Sequence, residues 1–380
     1  MVCKKQCTGC GACASVCPHN AIKIVQGKDG FSYPLIDKQK CTKCGLCDKV
    51  CPVELPNVKS KCKQAFAAII KDEYIRLKSS SGGMFSALSE NIINNGGAVF
   101  GAGFDENFTV RHMCAEDMDG IEKLRGSKYV QSDIGESFRD IKSLLKQHRT
   151  VMFVGTPCQV AGLKSYLGKE YDNLITVDLI CHGVPSPVFW KKYIEYREKV
   201  AEAKTQKIFF RHKKNGWKIY SVQFIFDDCT EYIQSLTKDL YMKGFLSNLF
   251  LRDSCYKCKF KNDNYYSDIT LADFWGIDKI MPDINDNKGV SLVLANTEKG
   301  LDEISKTVNC MDLYKVDTQD ALRGNISYYE SVEYTPLQRL ALFDTERLEF
   351  DILIDKYCGL SLPKRMLRKT CRTIAKIFKM

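Results

Sequence analysis

Cys7-Thr8-Gly9-Cys10-Gly11-Ala12-Cys13-Ala14-Ser15-Val16-Cys17-Pro18 opens this chain, and Cys41-Thr42-Lys43-Cys44-Gly45-Leu46-Cys47-Asp48-Lys49-Val50-Cys51-Pro52 repeats its spacing. Each is a C-x2-C-x2-C-x3-C-P run, a spacing that holds [4Fe-4S] cubanes in pairs. Three cysteines on a tight loop reach three irons of one cubane. The fourth opens a short helix toward the other cluster. The predicted ligand sets are therefore Cys7, Cys10, Cys13 with Cys51, and Cys41, Cys44, Cys47 with Cys17. Gly11 and Gly45 fall where a loop wrapped around a cluster needs backbone freedom. Zinc sites use paired C-x2-C knuckles rather than runs of four, and disulfides do not suit a chain without a secretion signal.

Residues 1–56 thus read as a bacterial-type 2[4Fe-4S] ferredoxin domain. So small a unit buries too little apolar surface to hold itself, and cluster ligation supplies the rest. The chain has 380 residues, room for one large or two moderate domains beyond the ferredoxin. No apolar run reaches membrane-spanning length, and no cleavable targeting peptide fits ahead of Cys7. Of 19 cysteines, those outside the two runs argue for a reducing, cytoplasmic setting. The net charge of +10 is unevenly placed: Lys364, Arg365, Arg368, Lys369, Arg372, Lys376 and Lys379 leave only +3 for the rest. No basic face studded with aromatics is present, which excludes nucleic acid as a partner.

From Ala65 the texture becomes alternating strands and helices. Strands are expected at 65–70, 98–104, 150–154 and 174–180, with helices at 82–94, 136–146, 158–167 and 187–198. That rhythm predicts a parallel or mixed sheet covered by helices, so the fold class is a ferredoxin module followed by a mixed α/β body. Beyond residue 200, strands at 208–211, 220–226, 268–272 and 291–295 suggest an α+β part, followed by helices at 317–323 and 337–356. The expected domains are 1–56, an α/β part at 62–195, an α+β part at 196–335, and a helical basic tail at 336–380.

Four further cysteines sit at structurally meaningful places. Cys158 follows one predicted buried strand and opens a helix; Cys181 follows another; Cys255 and Cys258 form a C-x2-C pair. If the two strands are parallel neighbours, Cys158 and Cys181 emerge together at the carboxyl edge, where open α/β sheets place ligands. A helix start favours the thiolate of Cys158. Spacing alone leaves a [4Fe-4S] cluster, a structural zinc or unrelated buried cysteines open.

Several blocks run in order: Ser80-Ser81-Gly82-Gly83, Gly126-Ser127-Lys128-Tyr129-Val130-Gln131-Ser132, Gly155-Thr156-Pro157-Cys158-Gln159, Cys181-His182-Gly183-Val184-Pro185-Ser186, Cys255-x2-Cys258, and Ser267-Asp268-Ile269-Thr270-Leu271-Ala272-Asp273-Phe274-Trp275-Gly276. Together they resemble the beta-subunit family of coenzyme F420 hydrogenases and dehydrogenases over roughly residues 62–300; F420 is a 5-deazaflavin hydride carrier. In the last block, Ala272 stands where the family usually has glycine. The resemblance implies an iron–sulfur flavoprotein oxidoreductase with FAD, and a third [4Fe-4S] cluster on Cys158, Cys181, Cys255 and Cys258. It also implies electron exchange with a deazaflavin or another organic acceptor. The alternatives are a non-catalytic electron-transfer subunit of a larger redox complex and a redox-sensing binding module.

For FAD, the serine–glycine run Ser80, Ser81, Gly82, Gly83 before a predicted helix could receive the pyrophosphate, or be an ordinary cap. Lys128 and Tyr129 could add a cation and a stacking ring, Thr156 a hydrogen bond to the isoalloxazine, and Asp273 a contact to ribose. No G-x-G-x-x-G is present to bind a nicotinamide cofactor by that route. His182 is the candidate proton donor, against the reading of a loop histidine bonded to backbone. Cys3, Cys62, Cys114, Cys229, Cys310, Cys358 and Cys371 fit no ligand spacing and are expected to be small buried groups. In the tail, Leu367, Cys371, Ile374 and Phe378 share one helical face opposite the bases. That pattern suits an anionic membrane surface or an acidic partner. Reduced ferredoxin or a redox partner subunit is the expected donor.

Overall fold

A computed structural model describes residues 3–54, 62–262 and 266–359. Residues 360–380, and with them the expected basic amphipathic helix and Cys371, lie outside the described residues.

The first module is a hairpin, β1 (Ile22–Gln26) and β2 (Ser32–Ile36), with two one-turn helices, Ala12–Val16 and Leu46–Lys49. Each helix starts from a glycine in the left-handed region, Gly11 at φ 77° and Gly45 at φ 75°. Only there can a cysteine loop turn sharply into a helix without a Cβ clash.

The body begins with β3 (Gln64–Ile70), β4 (Ala98–Phe104), β5 (Val110–Ala115), β6 (Val151–Val154) and β7 (Leu174–Leu179). A separate three-stranded sheet follows: β8 (Thr205–His212), β9 (Ser221–Phe226) and β10 (Glu231–Ser235), ordered β10-β9-β8. The chain then returns through β11 (Ile269–Asp273), β12 (Ser291–Ala295) and β13 (Met311–Val316) to complete an eight-stranded sheet, β13-β3-β12-β11-β7-β6-β4-β5. The expected division at residue 195 therefore does not separate two sheets, because β11, β12 and β13 share one with β3–β7. A second expectation is also corrected. The helix expected over 337–356 is two, Leu337–Asp344 and Phe350–Cys358, joined by a turn at which Arg347 and Leu348 N–H groups bond Asp344 O.

Strands β4, β6, β7 and β11 are mutually parallel, and β12 runs antiparallel to both β11 and β3. Thus β3, β11, β7, β6 and β4 all end at one edge. Helices cover both faces, as continuous apolar strands require. On one side Met84, Leu88, Ile92, Ile121 and Ile304 pack on the sheet. On the other, Phe138, Val160 and Leu163 pack on Val151 and Phe153, and Cys10, Ala12 and Val50 of the ferredoxin module join that same core. The small sheet closes against an aromatic core built on Phe189, Trp190, Tyr193, Tyr241 and Phe350.

On β5, His112 stacks on Phe153 at 5.1 Å, and its Nε2 lies 3.1 Å from Val154 O, while Nδ1 is buried without a partner. Burial pulls its pKa down to about 4, partly offset by the Val154 bond. The unfolded chain binds this proton first as pH falls. Stability is therefore complete above the ordinary histidine value of about 6.5 and declines as pH drops toward 4, by up to about 3 kcal/mol. His112→Phe keeps the ring stack and is expected to flatten the pH dependence of the unfolding midpoint between pH 7.5 and 5.5; an unchanged slope would contradict this.

Candidate metal centre

In the ferredoxin module, Cys7, Cys10, Cys13 and Cys51 line one cavity, with Cys47 at its margin. Burial pushes the Cys10 thiol up to about 11 and that of Cys13 to about 12, and the neighbouring sulfurs of Cys7 and Cys51 add to both. Four sulfurs that oppose each other's ionisation suit a polycationic iron core, whose charge removes that opposition. Of the second run, Cys44 is exposed and Cys41 and Cys47 are partly so; Cys17 Sγ accepts from Ala21 N at 3.3 Å.

The second gathering of thiols forms at the carboxyl edge of the large sheet. After β6 the chain passes Gly155 and enters the helix Pro157–Leu167, whose cap is Thr156. Thr156 N and Oγ1 both bond Gln159 Oε1, at 2.9 and 3.0 Å, and Thr156 Oγ1 lies 3.2 Å from Cys158 Sγ. The neighbouring parallel strand β7 delivers Cys181, so the two thiols emerge side by side. A short 3-10 helix, Asp253–Lys257, brings Cys255, and Cys258 follows it. All four line one cavity of about 680 Å³, together with Thr156, Asp178 and His182.

Burial raises the Cys181 thiol to about 11 and Cys255 to about 12, and holds Cys158 well above its ordinary value; the other sulfurs of the group contribute to each. The thiols ring the cavity instead of closing on a point. Among the described residues no three His, Cys, Asp or Glu side chains are gathered to hold a single metal ion. A polynuclear core fits this donor set better than one zinc. Lys261 Nζ bonds Cys181 O at 2.8 Å and pins the loop.

The two thiol groups are joined by an apolar bridge. Val53, Ala161 and Phe260 form a small cluster against which Cys51, Cys158 and Cys258 all pack. Gly162, one turn along the Cys158 helix, lies under Cys10; a Cβ there would come within 2.9 Å of Cys10 Sγ. Lys259 Nζ bonds Val53 O at 2.8 Å and Ser165 Oγ bonds Val50 O at 2.9 Å, fixing the module to the body.

The residues expected to hold FAD divide between places. Ser80, Tyr129 and Asp273 gather around Arg211, which donates to Ser80 O at 3.1 Å, Tyr129 Oη at 3.2 Å and Asp273 Oδ1 at 2.9 Å. Trp217 Nε1 also donates to Asp273 Oδ1, at 2.8 Å, and its ring stacks on Trp275 at 5.0 Å. Arg211 Nε is buried without an acceptor, a donor that an anionic oxygen would satisfy. Ser80 Oγ accepts from Ser127 N, Ser81 Oγ donates to Val290 O, and Gly82 N is taken by Ser291 Oγ. Gly83, at φ 97°, begins the helix Met84–Asn94. Lys128 lies apart: its ammonium is held by the carbonyls of Lys123, Leu124 and Arg125, closing the helix Met118–Leu124, and burial lowers its pKa to about 7. Thr156 stands with Cys158, not with Arg211.

His182 faces the thiol cavity. Its Nε2 lies 2.7 Å from Asn248 Oδ1 and Nδ1 3.4 Å from Ser327 Oγ, with Phe245 edge-on at 5.2 Å. Because Asn248 Oδ1 only accepts, Nε2 carries the proton. Burial chiefly lowers the His182 pKa. Asp178, also on the cavity, accepts from Thr270 Oγ1, and burial raises its carboxyl to about 7. Asp178, Arg211 and Arg252 belong to the site and were missed in the sequence; a polar residue inside an otherwise apolar strand was the only signal for Asp178. Of the cysteines expected to be buried, Cys3, Cys114 and Cys229 are exposed, because they lie in a terminal segment, on the edge strand β5 and in a hairpin turn.

Cluster-type thiol sets on a ferredoxin module and on an α/β sheet edge define an iron–sulfur protein. Residues 6–55 match the 4Fe-4S dicluster domain, and residues 148–320 match the family described as the C terminus of the coenzyme F420 hydrogenase/dehydrogenase beta subunit. The chain therefore joins a ferredoxin-type dicluster domain to the C-terminal domain of the F420 hydrogenase/dehydrogenase beta-subunit family. No curated protein matches it. Among solved structures, a chain of the xenon-derivatized F420-reducing [NiFe] hydrogenase complex from Methanosarcina barkeri is similar, with 17% identity and a TM-score of 0.47 over 82% of this chain and 97% of that one.

Proposed function

We propose that this chain is an oxidoreductase subunit that passes electrons from two ferredoxin-type clusters through a third to a flavin, and from there to a deazaflavin or another organic acceptor. The proposed ligands are Cys7, Cys10, Cys13 and Cys51; Cys41, Cys44, Cys47 and Cys17; and Cys158, Cys181, Cys255 and Cys258. The observation that carries the reading is the convergence of these last four, from three distant segments, on a cavity beside Cys51. When bound, the clusters supply single-electron transfer and FAD couples two such transfers to a hydride equivalent.

The chain's own residues prepare that chemistry. Val53, Ala161 and Phe260 keep water from the gap between two ligand sets. Thr156 orients Cys158, and Lys261 fixes Cys181 through its carbonyl. His182 holds a proton on Nε2 at the cavity wall, and Asp178 is a carboxyl able to hold another near neutrality. Arg211 is the proposed anchor for the FAD pyrophosphate, with Ser80–Gly83 and Tyr129 around it. A donor protein, reduced ferredoxin or a partner subunit, would deliver electrons at exposed Cys44. No helix of the described residues is long and apolar enough to cross a membrane; peripheral attachment through the bases at 364–379 rests on sequence alone.

One observation favours a second reading, a flavin-free electron-transfer subunit: the Gly82 N–H and the Lys128 ammonium already have protein partners. Anaerobic purification, flavin release and reoxidation by added acceptors separate the two. We expect about one FAD per chain and flavin-dependent reoxidation of the reduced protein by an organic acceptor. Absence of flavin, even after reconstitution with FAD, would leave the electron-transfer subunit.

A further inference from the structure

Arg252 is among the largest fully buried side chains of the protein, at 1% exposure, and makes no ion pair with a carboxylate among the described residues. It stands three residues before Cys255, yet its side chain crosses into the ferredoxin module. Nε donates to Cys7 O at 2.7 Å and Nη1 to Gln131 Oε1 at 2.7 Å. Nη2 donates to Ser32 O at 3.0 Å and to Cys7 Sγ at 3.6 Å. The guanidinium also lies over the Tyr33 ring, 4.4 Å from its centroid. Gln131 is held in turn, its Nε2 donating to Thr8 O at 3.0 Å.

A buried guanidinium without a counter-charge is costly, and hydrogen bonds to carbonyls and a ring satisfy its donors without neutralising it. The anion that faces it is the thiolate set containing Cys7. A [4Fe-4S] core with four thiolates is net negative and gains one more negative charge on reduction. A fixed buried cation bonded to one of its sulfurs therefore stabilises the reduced form more than the oxidised form. Among the described residues no such buried cation touches the outer run, whose Cys44 is exposed.

We propose that Arg252 is a positioning residue that raises the reduction potential of the Cys7, Cys10, Cys13, Cys51 cluster above that of the outer cluster. An electron leaving the outer cluster, which is thereby oxidised, then moves downhill onto the inner one, which is reduced. The inner cluster is the one beside Cys158. Because Arg252 precedes Cys255 directly, the same residue ties the loop of the third ligand set to the inner cluster. The inference rests on the ligand set proposed above for that cluster.

The test is a potentiometric titration of the full anaerobic chain followed by electron paramagnetic resonance, with iron counted on each sample. Arg252→Gln removes the charge and is expected to lower the midpoint of one cluster by about 59 mV, a tenfold shift of its one-electron equilibrium, leaving the outer cluster unmoved. Arg252→Lys, which keeps the charge, is expected to retain most of the parent potential. Gln131→Leu releases the guanidinium from one anchor and provides a milder variant with a smaller shift of the same cluster, readable even where Arg252→Gln does not retain iron. Unmoved potentials in a variant with complete iron, or equal shifts of both ferredoxin clusters, would overturn the proposal. Incomplete iron in the inner cluster of Gln131→Leu, whose side chain ligates nothing, would also count against it, since the role would then be structural. An inner cluster that persists without Cys51 would instead contradict the ligand set.

Discussion

Cys181→Ser, purified anaerobically, is expected to carry about four fewer irons per chain than the parent, with the remaining irons of the ferredoxin module unchanged. Cys181 ends β7, between the strands that deliver Thr156 and Asp273, and its thiol is raised by burial and by Cys258 nearby. Serine fits the space but offers a harder, more basic oxygen in place of a soft thiolate, which an iron–sulfur core disfavours. Its loss removes one corner of a set whose other members come from separate segments, so no neighbouring sulfur can take its place without moving a strand. Selectivity is the sharper part of the expectation. The ferredoxin thiols line a different cavity, and the bridge at Val53, Ala161 and Phe260 does not depend on Cys181. Loss of all iron, or of none, would contradict the assignment.

Asp273→Ala is expected to destabilise the chain by about 3 kcal/mol, a cost typical of stranding one partner of a buried ion pair. The Arg211 side chain is 4% exposed and that of Asp273 17%, and the carboxylate also holds Trp217 Nε1. The Arg211 guanidinium lies 3.9 Å over the Tyr220 ring, which cannot replace the charge. Arg211→Met combined with Asp273→Ala is expected to cost less than the sum of the single changes, because neither ion is then left alone. Additive costs in denaturant unfolding would show that the two residues do not act as a unit. Flavin content of the folded single variants reports separately on the proposed cofactor role.

The cysteine runs were legible because a cubane demands fixed spacing from the chain that wraps it, and spacing survives in the bare sequence. The parallel strands that carry Cys158 and Cys181 were legible too. β6 and β7 are nearly uninterrupted apolar runs, as burial on both faces requires. The antiparallel strands β5, β10 and β13 were missed, and their half-exposed, charge-bearing patterns explain why. The return of β11–β13 to the first sheet could not be read, since sheet membership depends on pairing rather than on local pattern.

The two arginines mark the same limit at the site. Arg252 meets Cys7 across 245 residues and Arg211 meets Ser80 across 131, so no local signal announces either. Ser80, Tyr129 and Asp273 were singled out one by one, but what brings them together is a residue from the separate small sheet. Lys128 shows the converse: a lysine in a distinctive block whose ammonium turns back to close its own helix.

A third cluster at the sheet edge is tested most simply by counting iron and acid-labile sulfide on the intact chain purified without oxygen. About twelve of each per chain are expected. About eight of each, unchanged by reconstitution with iron and sulfide, would contradict the third cluster.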